Sequence, residues 1–430
     1  MGNYTLYEDP LVDNQINHQL NTILGIVLDS AKESVESVIL TGGFGRGEGS
    51  VIFDSEGQVV PLKDYDLVVV LKKDIGEKAK NQINEQINSQ LGLSNHKKSL
   101  FRFSDFVVDL SFTTLDRLTL FPDIAIYELK VASYLLYGKD IRQQIPWKHA
   151  DIPLANGCRL LFEKMTGLIG HFPNEYFLGE TLDKRSARLL AYECYKVYVE
   201  IATSLSLMAG FYAPSYLQRK QLFEVNFESK LHELSNYLPE LPDAVVAATD
   251  FKLKPNFRET MCNPLNTWFE TRNALLAVAK FYLQVYLNVP KIDFLNSGGL
   301  LENGLKKNYF AHIAAGVSKK LLKTNLPFMI NATNSAFQSY SNLQYLQSIH
   351  RDKQHVPLRF LLSPFTGVTL KLFSIAPQVL LSIQEDACIN EEYFKVAKAR
   401  LSSLSPHQNI GTFLDLLSAY LVAYKHLPIH

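Results

Sequence analysis

The feature that most constrains the chain is a pair of carboxylates, Asp64 and Asp66, at the head of the apolar run LVVVL. A short run rich in β-branched residues predicts a buried strand over 64–71. Residues i and i+2 of a strand point to the same face, so both carboxylates project together while Tyr65 faces the other way. Two such charges repel each other. They become favourable when a hard divalent cation sits between them, held by carboxylates and phosphate oxygens. A third acid, Asp109, lies inside the apolar FVVDLSF, where an unpartnered carboxylate is costly. It calls for a metal, a base or a water-filled cleft beside it.

Upstream, helical spacing of Ile16, Leu20, Ile23, Leu24, Ile26, Val27 and Ala31 predicts a helix over 14–33, and SVESVIL (34–40) ends as a buried strand. The exit from that strand is TGGFGRGEGS (41–50), with Gly42, Gly43, Gly45, Gly47 and Gly49 crowded together. Such a backbone turns tightly and approaches a ligand without Cβ obstruction, which offers amides to phosphate oxygens. A helix starting there adds its N-terminal N–H groups, and Arg46 adds a positive fork. Two common phosphate loops are excluded. Glu48 stands where a Walker A lysine is required and also where a dinucleotide loop needs its third glycine. SVIF and QVVPL, separated by DSEG, predict a hairpin over 51–62, 76–92 reads as helix, and 101–113 reads as one or two strands.

These residues resemble the nucleotidyltransferase fold of the DNA polymerase β superfamily, most of all its smaller bacterial members that modify small molecules or proteins. That family places a strand ending in Gly-Ser or Gly-Gly, often followed by Arg-x-Arg-Gly, before a strand bearing Asp-x-Asp, with a third Asp on a later strand. Gly42 and Gly43 match the glycine pair, Arg46-Gly47-Glu48 the basic tail, Asp64 and Asp66 the metal pair, and Asp109 the third acid, all in order over roughly the first third of the chain. The hairpin at 51–62 lengthens the gap between Gly43 and Asp64, and Phe44 stands where an arginine is often found. The resemblance implies an enzyme in which an acceptor hydroxyl attacks the α-phosphate of a nucleoside triphosphate, expected to be ATP, and pyrophosphate leaves. Asp64, Asp66 and Asp109 would be the catalytic and metal-binding residues for Mg²⁺ or Mn²⁺, with Asp109 also accepting the acceptor's proton. Gly42, Gly43 and Arg46 would bind the triphosphate. Superfamily members close the cleft with helices carrying a Lys or Tyr toward the nucleotide. Lys196 is therefore a cofactor-binding candidate, although snorkelling of its long stem on an apolar helix accounts for it better. Tyr212, Tyr216 and Arg219 are candidates for an acceptor pocket.

From about residue 115 the β signals fade and 156–169, 183–210, 216–236 and 266–288 show helical spacing. The expected class is α+β, with an N-terminal mixed-sheet nucleotidyltransferase-like domain followed by mostly α-helical domains. The expected divisions are 1–145, a cleft-closing helical domain over 146–294, and a C-terminal helical domain over 295–430. LNSGGLLENG (295–304) reads as a linker or hinge. Charge and cysteines narrow the function. Lys plus Arg and Asp plus Glu are both 43, so no global basic field favours a long nucleic acid, and Lys306, Lys307, Lys319 and Lys320 read as a solvated face. The four cysteines form no C-x-x-C pair, and no apolar stretch is long enough to span a bilayer, which predicts a cytoplasmic protein without a membrane partner. The expected partners are a nucleoside triphosphate and a small-molecule acceptor, and a protein partner stays open. The alternatives are nucleotidyl modification of a protein or RNA end, of toxin–antitoxin or defence type, and a non-catalytic nucleotide-binding scaffold. Retention of all three acids favours catalysis.

Overall fold

The computed structural model describes residues 4–53, 56–57, 59–62, 64–91, 108–120, 122–173, 175–257, 263–304, 368–402, 404 and 410–425. The expected strand at 101–107, Cys262, and the lysines at 306, 307, 319 and 320 lie outside the described residues. The protein is α+β and divides into two compact units. The first comprises Met1–Pro153, Ala209–Ser235 and Pro239–Arg258, and the second Leu154–Met208, Asn236–Leu238 and Glu259–His430. Two stretches from the middle of the chain thus count with the N-terminal unit.

In the first unit, helix α1 (Pro10–Ala31) starts where Asp9 accepts the Leu11 amide and Pro10 occupies the first turn, a position that needs no N–H. Val12, Ile16, Leu20, Ile23 and Val27 form its buried stripe, each contributing about 1.5–3 kcal/mol of burial. Strand β1 (Val35–Leu40) leads into a single helical turn, α2 (Gly42–Gly45). The expected hairpin follows as antiparallel β2 (Val51–Phe53) and β3 (Val59–Pro61), and then β4 (Tyr65–Leu71), α3 (Glu77–Gln90) and β5 (Val108–Thr113). After α4 (Leu115–Leu118) and α5 (Ile124–Val131) comes β6 (Tyr134–Gly138). This strand corrects the expectation that β structure ends near 113: YLLYG is too short to show a period, and its pairing with β1 spans about a hundred residues.

The sheet order is β5-β4-β1-β6, with β4–β5 parallel and the other two pairs antiparallel. Alternation along β4 divides its side chains between two cores. Tyr65, Leu67, Val69 and Leu71 pack with the α1 stripe and with Ile83 and Ile87 of α3. Val68 and Val70 pack on the opposite face with Leu118, Leu129, Ile141 and Ile145. Asp66 shares that second face by its register. The unit is completed by α9 (Tyr216–Lys230), α10 (His232–Ser235) and α11 (Leu241–Leu253), numbered after α6 (Leu154–Gly170), α7 (Glu175–Leu178) and α8 (Lys184–Ala209).

The second unit is helical, built from α6, α7, α8, α12 (Pro264–Leu287), α13 (Val368–Ser382), α14 (Glu391–Leu401) and α15 (Phe413–Lys425) among the described residues. Trp268 of α12 is fully buried and its indole donates to the Leu168 carbonyl at 3.2 Å. Thr166 Oγ1 and the Tyr420 hydroxyl hydrogen-bond at 3.0 Å, tying α6 to α15. The expected linker at 295–304 is instead a turn followed by helix from residue 298, anchored where Gln378 donates to the Phe294 carbonyl and Arg400 pairs with Glu302.

Candidate active site

Asp66 and Asp109 are register partners in the parallel β4–β5 pair, and Asp64 precedes Asp66 by one strand period. This places carboxylate oxygens of Asp64, Asp66 and Asp109 within 4.8 Å of one another, with all three side chains partly buried. The Asp66 carboxyl is pushed up to about 7, first by burial and then by the negative charges of Asp64 and Asp109. Lys252 and Arg46 pull it the other way. The donor set fits a hard divalent cation, since all three groups are carboxylates.

The glycine turn abuts this cluster. The Thr41 amide donates to the Asp66 carbonyl at 2.8 Å, which fastens the end of β1 to the acid-bearing strand. Gly42 follows with φ +63°, and a Cβ there would collide with the Asp66 carboxylate, so glycine is required twice over. The amides of Gly45, Arg46, Gly47, Glu48 and Gly49 bond back to Thr41, Gly42 and Gly43, Phe44, Gly43 and Tyr4 respectively. Among the described residues the amides of Gly42, Gly43 and Phe44, at the head of the turn, reach no backbone carbonyl, as the first residues of a helical turn have none within it.

Arg46 is placed differently from a phosphate fork. Its side chain is 3% exposed, with Nη1 2.7 Å from Glu128 Oε2 and Nε 3.5 Å from Glu48 Oε2. Its guanidinium lies 4.4 Å from the centroid of the Tyr216 ring. Tyr216 and Arg219 are both on α9, and Tyr212 precedes it. The Tyr212 hydroxyl and Arg219 Nη2 converge on the same Glu128 carboxylate, the latter at 3.2 Å. Burial by itself would raise the Glu128 carboxyl, but the Arg46 and Arg219 guanidiniums, with hydrogen bonds from Tyr212 and Arg46, hold it below its ordinary value. Glu48 accepts from Ser215 Oγ at 2.6 Å and from the Tyr216 and Leu217 amides at 2.8 and 3.1 Å. A carboxylate from the glycine turn thus caps α9, where the first-turn amides and the helix dipole favour negative charge.

Lys196 belongs to the second unit, on α8, where its ammonium lies 3.6 Å from Glu193 one turn earlier and 5.7 Å from the Tyr192 ring. The first unit supplies a cation that the sequence did not single out. Lys252, at the end of α11, acts electrostatically on Asp66 and sits 6.0 Å from the Tyr216 ring. Ser50, immediately after the glycine turn, donates to its backbone carbonyl. Nothing local in FKLKPNF marks Lys252, because its proximity to Asp66 arises from a return of the chain 186 positions later.

No protein-family profile and no curated protein matches the sequence. Among solved structures, the spectinomycin adenyltransferase AAD(9) from Enterococcus faecialis, determined with ATP and spectinomycin, is similar over 60% of this chain and 98% of its own. The identity is 16% and the TM-score 0.35. A superposition that loose establishes neither a shared fold nor a shared activity. No described helix is long and apolar enough to cross a membrane.

Proposed function

We propose that the chain is a nucleotidyltransferase, moving a nucleoside monophosphate from a nucleoside triphosphate to the hydroxyl of a small-molecule acceptor. The carrying observation is the convergence of Asp64, Asp66 and Asp109 beside a glycine turn whose Gly42 packs directly on Asp66. Three like charges at that spacing are costly for a protein to keep unless a cation offsets them, and Mg²⁺ or Mn²⁺ suits the donor set. Asp64, Asp66 and Asp109 would hold it, and when bound it supplies positive charge to the reacting phosphate and to the leaving pyrophosphate. The Gly42 and Gly43 amides then face the phosphate oxygens, and Lys252 adds a positive charge on the same side as Asp66.

In this reading the acceptor oxygen forms a bond to the α-phosphorus, the bond to the bridging oxygen breaks, and pyrophosphate carries away the electron pair. Asp109 takes the hydroxyl proton. Arg46 acts indirectly, since its guanidinium is committed to Glu128 and Glu48. ATP is the proposed triphosphate, and a protein of the cytoplasm acting on a small molecule is the proposed setting. The reading is tested by titrating each of the four triphosphates into wild type, Asp66→Asn and Lys252→Met with and without Mn²⁺. Mn²⁺-dependent binding that disappears in Asp66→Asn and weakens about tenfold in Lys252→Met supports it. Equal binding by all three contradicts it.

A further inference from the structure

Two arginines from different parts of the first unit, Arg46 in the glycine turn and Arg219 on α9, are each 3% exposed and share one acid, Glu128 on α5. Buried guanidiniums need such partners, because an arginine does not escape by losing its proton. Arg219 also donates to the Ala213 and Pro214 carbonyls at 2.8 and 3.0 Å and to the Tyr212 hydroxyl at 3.3 Å, all neutral groups, and its ion pair with Glu128 at 3.2 Å brings the opposite charge. The Tyr212 hydroxyl completes the carboxylate's shell. Arg46 is also part of the turn's backbone, where its amide bonds to the Gly42 carbonyl at 3.3 Å and the Gly43 carbonyl at 3.2 Å. A displacement of the Arg46 side chain is therefore carried to Gly42 and Gly43, the residues that head the turn.

We infer that Glu128 is a positioning residue, which fixes the glycine turn against α9 through Arg46 and Arg219 and so sets the aim of the Gly42 and Gly43 amides. Glu48 holds the same joint from the other side by capping α9. The consequence for catalysis rests on the nucleotidyltransferase reading, whereas the clamp itself does not. Glu128 touches neither the acids nor the first-turn amides in this arrangement, so its loss acts on triphosphate affinity and leaves the metal-binding acids in place.

The test uses the full chain with Glu128→Gln, which keeps the shape and removes the charge, and Glu128→Asp, which keeps the charge and shortens the reach. Amide hydrogen exchange at Gly45 to Gly49 is expected to accelerate at least tenfold in Glu128→Gln and less in Glu128→Asp, with the β1 and β4 amides unchanged. KM for the triphosphate rises about tenfold while kcat and Mn²⁺ affinity stay within about threefold, and Glu128→Asp recovers part of the KM. Unchanged exchange at 45–49 in both variants overturns the clamp. A proportional fall of kcat, Mn²⁺ affinity and sheet protection also overturns it, since that pattern marks a loss of folded protein. If Glu128→Gln does not fold, Glu128→Asp decides by the same two readouts. If wild type turns over no triphosphate, the functional reading fails, and the exchange measurement still decides whether Glu128 holds the turn.

Discussion

Asp66 on β4 and Asp109 on β5 are direct partners in a parallel pair, which sets two carboxylates on neighbouring strands about 4.8 Å apart. With Asp64 they form a cluster that opposes folding when no cation is present. At that separation each like-charged pair costs on the order of 1–3 kcal/mol in a partly solvated site. Asp66→Asn is therefore expected to raise Tm in a chelating buffer by ~2–4 °C, a gain in stability made at the expense of function. Wild type, by contrast, should gain Tm on adding Mn²⁺ while the variant does not, by mass action on the folded state. Thermal scans of both proteins with and without Mn²⁺ check this. An Asp66→Asn protein less stable than wild type in chelator would show that the carboxylate is satisfied without a metal.

Gly42→Ala meets two penalties. The φ of +63° costs an L-residue about 1 kcal/mol or more, and the new methyl collides with the Asp66 carboxylate. The chain is expected to fold, because Gly42 itself belongs to neither apolar core, the turn's contribution to the first core being Phe44. Activity should fall by at least a hundredfold, as the collision moves either the acid or the turn. Circular dichroism together with turnover separates the two effects.

Glu48→Ala removes the acceptor for Ser215 Oγ and for the Tyr216 and Leu217 amides. The expected cost is ~1–2 kcal/mol, the size of a lost helix cap, seen as a lower urea midpoint for the first unit. Hydrogen exchange should locate the loss in the first turn of α9.

Glu128 carries a pH signature. Its carboxyl is held below its ordinary value in the folded chain, so it contributes stability at pH values above the unfolded carboxyl's titration near about 4.3. That contribution fades as the pH falls through the folded value. The stability difference between wild type and Glu128→Gln should thus be constant from pH 8 to pH 5, and shrink below about 4.3. Urea midpoints measured across that range check the sign, which reverses if the arginines stabilise the neutral carboxyl instead.

The acid pair was legible because a strand's period of two places Asp64 and Asp66 on one face whatever the rest of the chain does. Asp109 was legible because it interrupts an apolar run. The α1 helix, the hairpin and the helical remainder follow from spacing in the same way. Sequence could not show what a charge pairs with. Arg46 looks like a free fork in GGFGRGEG, yet its partner Glu128 lies 82 positions later on a short helix, and Arg219 arrives from further still. Lys252 and β6 escaped for the same reason, as each takes its place by contacts with residues distant along the chain. Placements that depend on backbone geometry were open to reading, whereas those that depend on long-range ion pairing were not.

The central claim is that the acid cluster and the glycine turn together transfer a nucleotidyl group. The most direct measurement is pyrophosphate release from each of the four triphosphates with Mg²⁺ or Mn²⁺, in the presence of small polyols, aminoglycosides and cell extract, for wild type beside Asp109→Ala. The account predicts metal-dependent release from one triphosphate, expected to be ATP, that falls to background in Asp109→Ala. Release that persists unchanged in Asp109→Ala, or absence of any metal-dependent triphosphate binding by wild type, would contradict it.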